Sequence, residues 1–520
     1  MTKRDHEHGS TAAIVRQDGA TDAERNLKKL CDRTFLSLWS YPSLYRDQGQ
    51  TATSREGKEV CDLLVVFERH IIIFSDKDCD FPRKGNPALE WSRWYRRAVQ
   101  KSAEQVWGAE RWIKSNPKRL FLDRSCSQPF PIDVPHLATA QFHRVVVAHD
   151  ASRRCRETFG GTGSLILDPS IIGPAHYEGA NVRPFHIGQI DPTRGFVHVF
   201  DDTTLNAVLR TLDTITDFVS YLSKKELLIT TGRLQWAAGE DDLLAYYLGK
   251  LNHQGEHDFV LPRGADKLVV EEGRWDHFER SVERQTQRNA DEVSYLWDHM
   301  IERFSGHILA GTSYKPVLPP YATISSQEEV LRFMARESRL RRRLLAEAVV
   351  GLIKKTETEE PKQSDDLVFR ATRIVKPSRP GDPYYVFLLL REPHGVPYEE
   401  YRVVRRKLLE MLCLVTKLRF PDAQFIVGYA TEPGQSAGTS DDALCIDVRD
   451  WTKEQEAEAA EIQRELGLLT QVNASSKRYH EYPATMGRTG SNQPRSMRNS
   501  PCPCHSGKKY KHCCLNRHRG

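Results

Sequence analysis

The sequence predicts an α/β multidomain protein that ends in a small zinc knuckle, and three observations carry that prediction. Two nearly continuous apolar runs, Val60–Phe67 and His70–Lys77, are separated only by Glu68-Arg69 and read as central strands flanked by helical patterns. The chain has 520 residues, more than one hydrophobic core organises, so two or three domains are expected. Four of its eleven cysteines, Cys502, Cys504, Cys513 and Cys514, fall together at the C-terminus.

Residues 1–22 are polar and read as disordered. A helix is expected from Asp22 to about Ser40, with Leu27, Leu30, Cys31, Phe35 and Leu38 at helical spacing. The two apolar strands follow. A long helix then runs from Glu90 to about Ser115, with Trp91, Trp94, Ala98, Ser102, Gln105, Ala109 and Trp112 as its stripe. Arg119–Leu122 reads as a short strand, closing a first α/β domain over 23–130. An α/β extension spans 131–270, with strands at Arg144–Ala148, Ser164–Leu167 and Phe196–Phe200 and a helix from Thr204 to Ser223.

Residues 271–355 turn helical, and Ser325-x-x-Glu328 is a capping box opening a long helix through Val350. The charged stretch 356–365 is a linker. A second α/β region, 366–470, carries strands near Leu367–Ile374, Tyr385–Leu390, Gln424–Tyr429 and Ala443–Asp447, with helices over Tyr398–Lys417 and Lys453–Leu468. Residues 471–499, rich in Ser, Asn, Arg and Gly, read as a flexible basic linker to a knuckle at 500–520.

The net charge of +5 is unevenly placed. Residues 476–520 hold ten Lys/Arg against a single acid, Glu481, so the remainder is net acidic. Such a tail favours acidic partners or serves as a solvated tail. The N-terminus lacks the apolar segment of a signal peptide, and no apolar run approaches the roughly 20 residues of a membrane span. A cytoplasmic protein is expected, in which the seven scattered cysteines stay reduced.

The tail spacing is Cys-x-Cys, eight residues, then Cys-Cys. Four thiolates close a tetrahedral structural zinc site, and so short a segment needs the metal to fold. Pro501 and Pro503 stiffen the first ligand pair, and Ser506-Gly507 supplies a turn. Lys508, Lys509 and Lys511 offset the excess negative charge and offer contacts to a nucleic acid or protein partner. Two disulfides are the competing reading, disfavoured by the expected redox setting. The stretch CPCHSGKKYKHCC resembles the SEC-C motif, known from the C-terminus of the translocase motor SecA and from the ends of many bacterial proteins. His505 stands where that pattern usually has glycine. The resemblance covers about twenty residues and implies zinc and recruitment of a protein or ribosome partner. It does not imply a translocase, because the chain contains no GxxxxGK[ST] phosphate loop.

The order helix, strand hairpin, long helix, strand resembles the PD-(D/E)xK nuclease-like, restriction-endonuclease-like core. That resemblance implies an acid on one strand and an acid-x-Lys on the next. Together they hold Mg2+ or Mn2+, and the lysine orients or deprotonates the attacking water. Asp62, in Gly57-Lys-Glu-Val-Cys-Asp-Leu-Leu-Val-Val, matches the first acid, and Lys77 matches the lysine. Ser102 and Gln105 interrupt the tryptophan stripe as polar groups on an apolar face, as an active-site wall would. Counting back from Lys77 by the strand period of two gives Ser75, not an acid. Asp76, pointing to the other face by that period, Asp78, Glu59 and Glu24 are the acids within reach. A cross-strand Asp62–Lys77 ion pair and a satisfied core amide at Gln105 are the structural alternatives.

Other signals are weaker. His253 and His257 could ligate a metal but read better as a solvated loop. Asp201-Asp202 and Asp241-Asp242 read as helix N-terminal acids. The tryptophans of Trp91–Arg97 read as core. Two functions follow: a metal-dependent DNA endonuclease with a zinc-binding SEC-C tail, or a non-catalytic adaptor whose knuckle recruits its partner.

Overall fold

The computed structural model describes residues 13–48, 56–82, 85–312, 327–358, 370–432, 440–471, 473–477 and 479–483. Helix α1 (Asp22–Phe35) starts at Thr21, whose hydroxyl accepts from the Glu24 amide, and buries Leu27, Leu30, Cys31 and Phe35. The chain before it is packed from residue 13, in contrast to the disorder expected over 1–22. The Ile14 amide donates to the Leu309 carbonyl at 2.7 Å, and Arg16 donates to Asp32 at 2.9 and 2.7 Å.

Strands β1 (Ser40–Arg46), β2 (Lys58–Phe67) and β3 (His70–Lys77) form an antiparallel meander. Phe67 pairs with His70 across a two-residue turn in which Glu68 takes a positive φ of 49°. The long helix expected after them is interrupted. Helix α2 (Pro87–Tyr95), capped by Asn86, runs through a π-helical turn at Arg96–Gln100 into α3 (Lys101–Ser115). The Lys101 amide bonds back to the Arg96 carbonyl, five residues earlier. Trp91, Trp94, Ala98, Ser102 and Ala109 are buried as expected, but beyond the turn Val106 and Ile113 are buried too, whereas Gln105 is exposed and Trp112 half-buried.

Strand β4 (Gln141–Ala148) returns parallel to β3. After α4 (Ala151–Phe159), β5 (Ile166–Ile172) and β6 (His186–Gln189), strand β7 (Val197–Asp201) joins the edge parallel to β4. The first sheet has the order β1-β2-β3-β4-β7, so it reaches across the boundary expected at residue 130. Arg119–Leu122 forms only isolated bridges, Phe121 meeting Tyr45 and Pro129. The helix expected over 204–223 is two helices, α5 (Asp202–Thr211) and α6 (Ile215–Thr230), because Thr214 caps a new start. Strands β8 (Leu234–Ala237) and β9 (Leu268–Val270), separated by α7 (Glu240–Leu248), complete a second sheet ordered β6-β5-β8-β9.

The two faces of the first sheet are covered differently. Phe74 of β3 packs against Phe35 of α1 and Phe218 of α6, with ring centroids 6.1 and 6.5 Å apart. The opposite face meets α3, where Arg144 of β4 pairs with Glu110, and Nη2 lies 2.7 Å from Oε1.

Helices α8 (Arg274–Arg280), α9 (Val282–Asp291), α10 (Tyr295–Leu309), α11 (Gln327–Ala335) and α12 (Arg339–Thr358) form the expected helical middle. The capping serine Ser325 lies outside the described residues. Buried Arg339 of α12 ties this layer to Asp213, between α5 and α6, by an ion pair of 2.8 Å, and pairs at 2.8 Å with Asp298 of α10 within the layer. Arg342 also holds Asp298, at 2.7 Å.

The second α/β region is a four-stranded sheet: β10 (Arg370–Val375), β11 (Tyr384–Leu390), β12 (Phe425–Thr431) and β13 (Asp442–Asp447) in that order. Helix α13 (Tyr398–Arg419) makes the crossover between the parallel pair β11 and β12, and α14 (Lys453–Leu466) follows β13. Alternate residues of β11 serve two cores. Tyr384, Val386, Leu388 and Leu390 join the cluster that also holds α13, whereas Tyr385, Phe387 and Leu389 join the main core. Trp297 of α10 meets Tyr385 edge-on, with centroids 5.4 Å apart.

Beyond α14 the chain turns back onto the helical middle. Lys477 and the Tyr479 hydroxyl reach Glu347 of α12 at 2.6 and 2.9 Å, and the Tyr482 hydroxyl donates to the Leu248 carbonyl at 3.0 Å. Glu481 accepts from Gln287 of α9 and lies 3.8 Å from His257. Within the linker expected over 471–499, the described residues up to 483 are therefore a docked strap.

Candidate active site at the fork of two strands

Pairing between β2 and β3 ends at Leu63–Phe74, and Asp62 sits where the strands part. Its Oδ2 accepts from the Asp76 amide at 2.6 Å, replacing the ladder bond that the fork removes. Burial raises the Asp62 carboxyl to about 6, the charges of Asp76 and Glu24 act in the same direction, and the Asp76 amide and Ser75 hydroxyl oppose them. Extending the antiparallel register puts Ser75 opposite Asp62, and alternation keeps Lys77, exposed at the strand end, on that same face. The Ser75 hydroxyl lies 3.2 Å from Gln105 Oε1, so Ser75 connects α3 to the fork. One hydroxyl hydrogen cannot serve both Gln105 and Asp62. Turning the amide so that it donates to Ser75, while Ser75 donates to Asp62, satisfies all three.

Asp76 does not contribute its carboxylate here. It faces the other side of β3, where Oδ1 is hydrogen-bonded to His149 Nε2, just beyond β4. Burial alone would lower the His149 pKa. The Asp76 bond and charge, with Asp202 and Asp78, raise it instead. Only the Asp76 amide enters the Asp62 site. His149 has no local sequence signal, because its partner lies on a neighbouring strand 73 residues away.

Glu59 is brought to the fork by an irregularity in β2. Leu44 of β1 pairs with Cys61 but Tyr45 pairs with Glu59, leaving Val60 as an extra residue in a β-bulge. Simple alternation would put Glu59 on the face opposite Asp62, and the bulge reverses this. Although Glu59 keeps solvent contact, burial of part of the side chain and the charges of Asp62 and Glu24 push its carboxyl up to about 7, against Arg124 and Lys77. Glu24 is already committed: its Oε2 accepts from the Ala20 amide at 2.6 Å in the cap of α1.

The donors at the fork are hard carboxylate oxygens, the class that Mg2+ and Mn2+ take. Both carboxyls are raised first by burial and then by neighbouring acids, and a divalent cation would favour their charged forms. Among the described residues no three His, Cys, Asp or Glu side chains converge into a preformed metal cage. Mg2+ is commonly held by one or two carboxylates and several waters, so the pair fits such an ion in donor type and charge.

The remaining sequence expectations fall as follows. His253 is exposed, and His257 contacts the strap through Glu481, so this string forms a packing loop. Asp201 caps α5 in a capping box with Thr204, and Asp241 and Asp242 sit in the first turn of α7, as expected of helix N-terminal acids. Trp91 and Trp94 are core residues. The described cysteines are free thiols. No helix among the described residues is long and apolar enough to cross a membrane. Cys502, Cys504, Cys513, Cys514, Lys508, Lys509 and Lys511 lie outside the described residues.

Comparison with known proteins bears on that tail. Residues 498–516 match the family model of the SEC-C motif. A curated relative, the protein translocase subunit SecA of Oleidesulfovibrio alaskensis, is 40% identical over 72 residues, covering 12% of this chain and 8% of the relative. No solved structure matches the chain. The chain thus carries a SEC-C motif at its C-terminus and shares only a small fraction of the translocase subunit's length.

Proposed function

We propose that this protein is a metal-dependent phosphodiesterase acting on DNA, with a C-terminal knuckle that binds zinc and recruits a protein or ribosome partner. The observation that carries the reading is the sharing of one sheet face by Asp62 and Lys77 at the β2–β3 fork, beside carboxyls that burial and neighbouring acids raise. Asp62 would hold Mg2+ or Mn2+, its orientation fixed by the Asp76 amide. When bound, the cation supplies Lewis-acid stabilisation of phosphoryl charge and acidifies a water. Lys77, exposed at the strand end, would orient that water, and Gln105 would hold the fork through Ser75. The knuckle would take zinc through Cys502, Cys504, Cys513 and Cys514, in line with the SEC-C likeness. Lys508, Lys509 and Lys511 would meet the partner.

The test is cleavage of plasmid DNA with Mg2+ or Mn2+ by the full chain and by the Asp62→Ala and Lys77→Ala variants. Cleavage by the unaltered protein, lost in both variants, is expected. Equal behaviour of all three refutes the reading. Ser75 at the second acid position favours the adaptor as the second reading. In that case the fork is structural, and capture of a partner depends on the knuckle alone.

A further inference from the structure

Where the strap ends, a groove begins. The Tyr482 hydroxyl donates to the Leu248 carbonyl, and Gly249, the next residue, lines an open groove of about 360 Å3. The turn between β9 and α8 gives the groove Glu271 and Glu272, and α8 and the cap of α9 give it Phe278 and Ser281. We infer that this groove is the docking site of the chain's own next segment, Ala484–Arg488, with Met486 on Phe278 and Arg488 on Glu271 and Glu272. The inference is independent of the metal-dependent reading at the fork.

Three observations support it. The first is where the described chain stops. Pro483 follows Tyr482, which is rooted on α7 and feels the charge of Arg284 of α9. Arg284 in turn lies over the Phe278 ring, 5.3 Å from its centroid. Five further residues reach at most about 17 Å, so the segment is confined to this neighbourhood. The second is charge. Glu271 and Glu272 are exposed, and neither forms an ion pair among the described residues. Arg274, which also lines the groove, lies instead over the Tyr246 ring, 5.5 Å from its centroid. Residues 484–520 hold eight Lys/Arg and no acid, and Arg488 is the first of these cations. The third is apolar surface. Phe278 is half-buried, and Met486 is an unbranched side chain of the kind that fits an irregular apolar wall.

The experiment is limited trypsin digestion of the full-length protein prepared with zinc. Cuts after Arg488 and Arg495 are timed by mass spectrometry, each rate normalised to the free peptide 484–499. Arg495 lies beyond the docked segment and serves as the internal control. The cut after Arg488 should be slower by at least about tenfold, because cleavage samples only the undocked population. In Glu271→Gln/Glu272→Gln, checked for unchanged thermal melting, the two rates should come within about twofold of each other. Equal rates in the unaltered protein overturn the inference, as does protection that the double substitution leaves untouched. A second measurement leaves the groove intact. In Arg488→Lys, a carbodiimide should couple position 488 to Glu271 or Glu272 within one chain. Coupling only to other acids overturns the assignment, and coupling only between two chains gives the groove to a second copy's tail and overturns docking in cis.

Discussion

The substitution Asp62→Asn separates a functional carboxylate from a structural one. The Asp62 carboxyl rises from its ordinary 3.8 to about 6 inside the folded protein. A group whose folded pKa is raised binds its proton more tightly when folded, so stability falls as pH climbs from the unfolded value towards the folded one. At 1.36 kcal/mol for each tenfold, the rise corresponds to about 3 kcal/mol of destabilisation above pH 7, an upper figure because Asp62 keeps some solvent contact. Asparagine is nearly isosteric, and its Oδ1 can accept from the Asp76 amide. Asp62→Asn should therefore stabilise the protein by about 1–3 kcal/mol at pH 8, with the gain shrinking through pH 6 and nearly gone by about pH 4. Urea denaturation at the three pH values, without divalent cations, measures it. A structural Asp62–Lys77 ion pair makes the opposite prediction. If the asparagine variant is less stable at pH 8, or its effect does not vary with pH, the argument from the buried Asp62 charge is wrong.

Two further outcomes follow. The full chain should bind one equivalent of zinc, and Cys502→Ser should lose it, by metal analysis after gel filtration, without altering the melting of the main body. Arg339→Met should cost about 3 kcal/mol by urea denaturation, at the low end of the range for breaking a buried pair. Asp298 keeps Arg342, and Asp213 keeps a hydrogen bond from Tyr295.

The legible parts of the sequence were those with dense local pattern. The apolar runs of β2 and β3 fixed their own burial, and the strands of the second α/β region lie within a few residues of expectation. That Asp62 and Lys77 share a sheet face was readable, because a tight hairpin and strand alternation relate residues close in sequence. What escaped depends on one-residue insertions that leave no compositional mark. A π turn interrupts the long helix, and the bulge at Val60 changes the facing that alternation gives Glu59. Distance hid the rest. Residues 131–270 contribute two strands to the first sheet because parallel pairing brings β4 and β7 alongside β3. The strap looked like linker because its anchors, Glu347, Gln287 and Leu248, lie more than a hundred residues away.

That strap sets the geography of whatever the C-terminal cysteines hold. Measured from Pro483, Cys502 can lie no more than about 65 Å away even with the intervening chain fully drawn out, against about 110 Å if the chain left the body at Thr470. Cutting the span from 32 to 19 residues raises the local concentration of the knuckle around its root about twofold. The root itself is fixed beside Leu248, where α7 ends, and close to α9 and α12. A captured partner would thus be leashed within that reach of a root set by the docking of Tyr482.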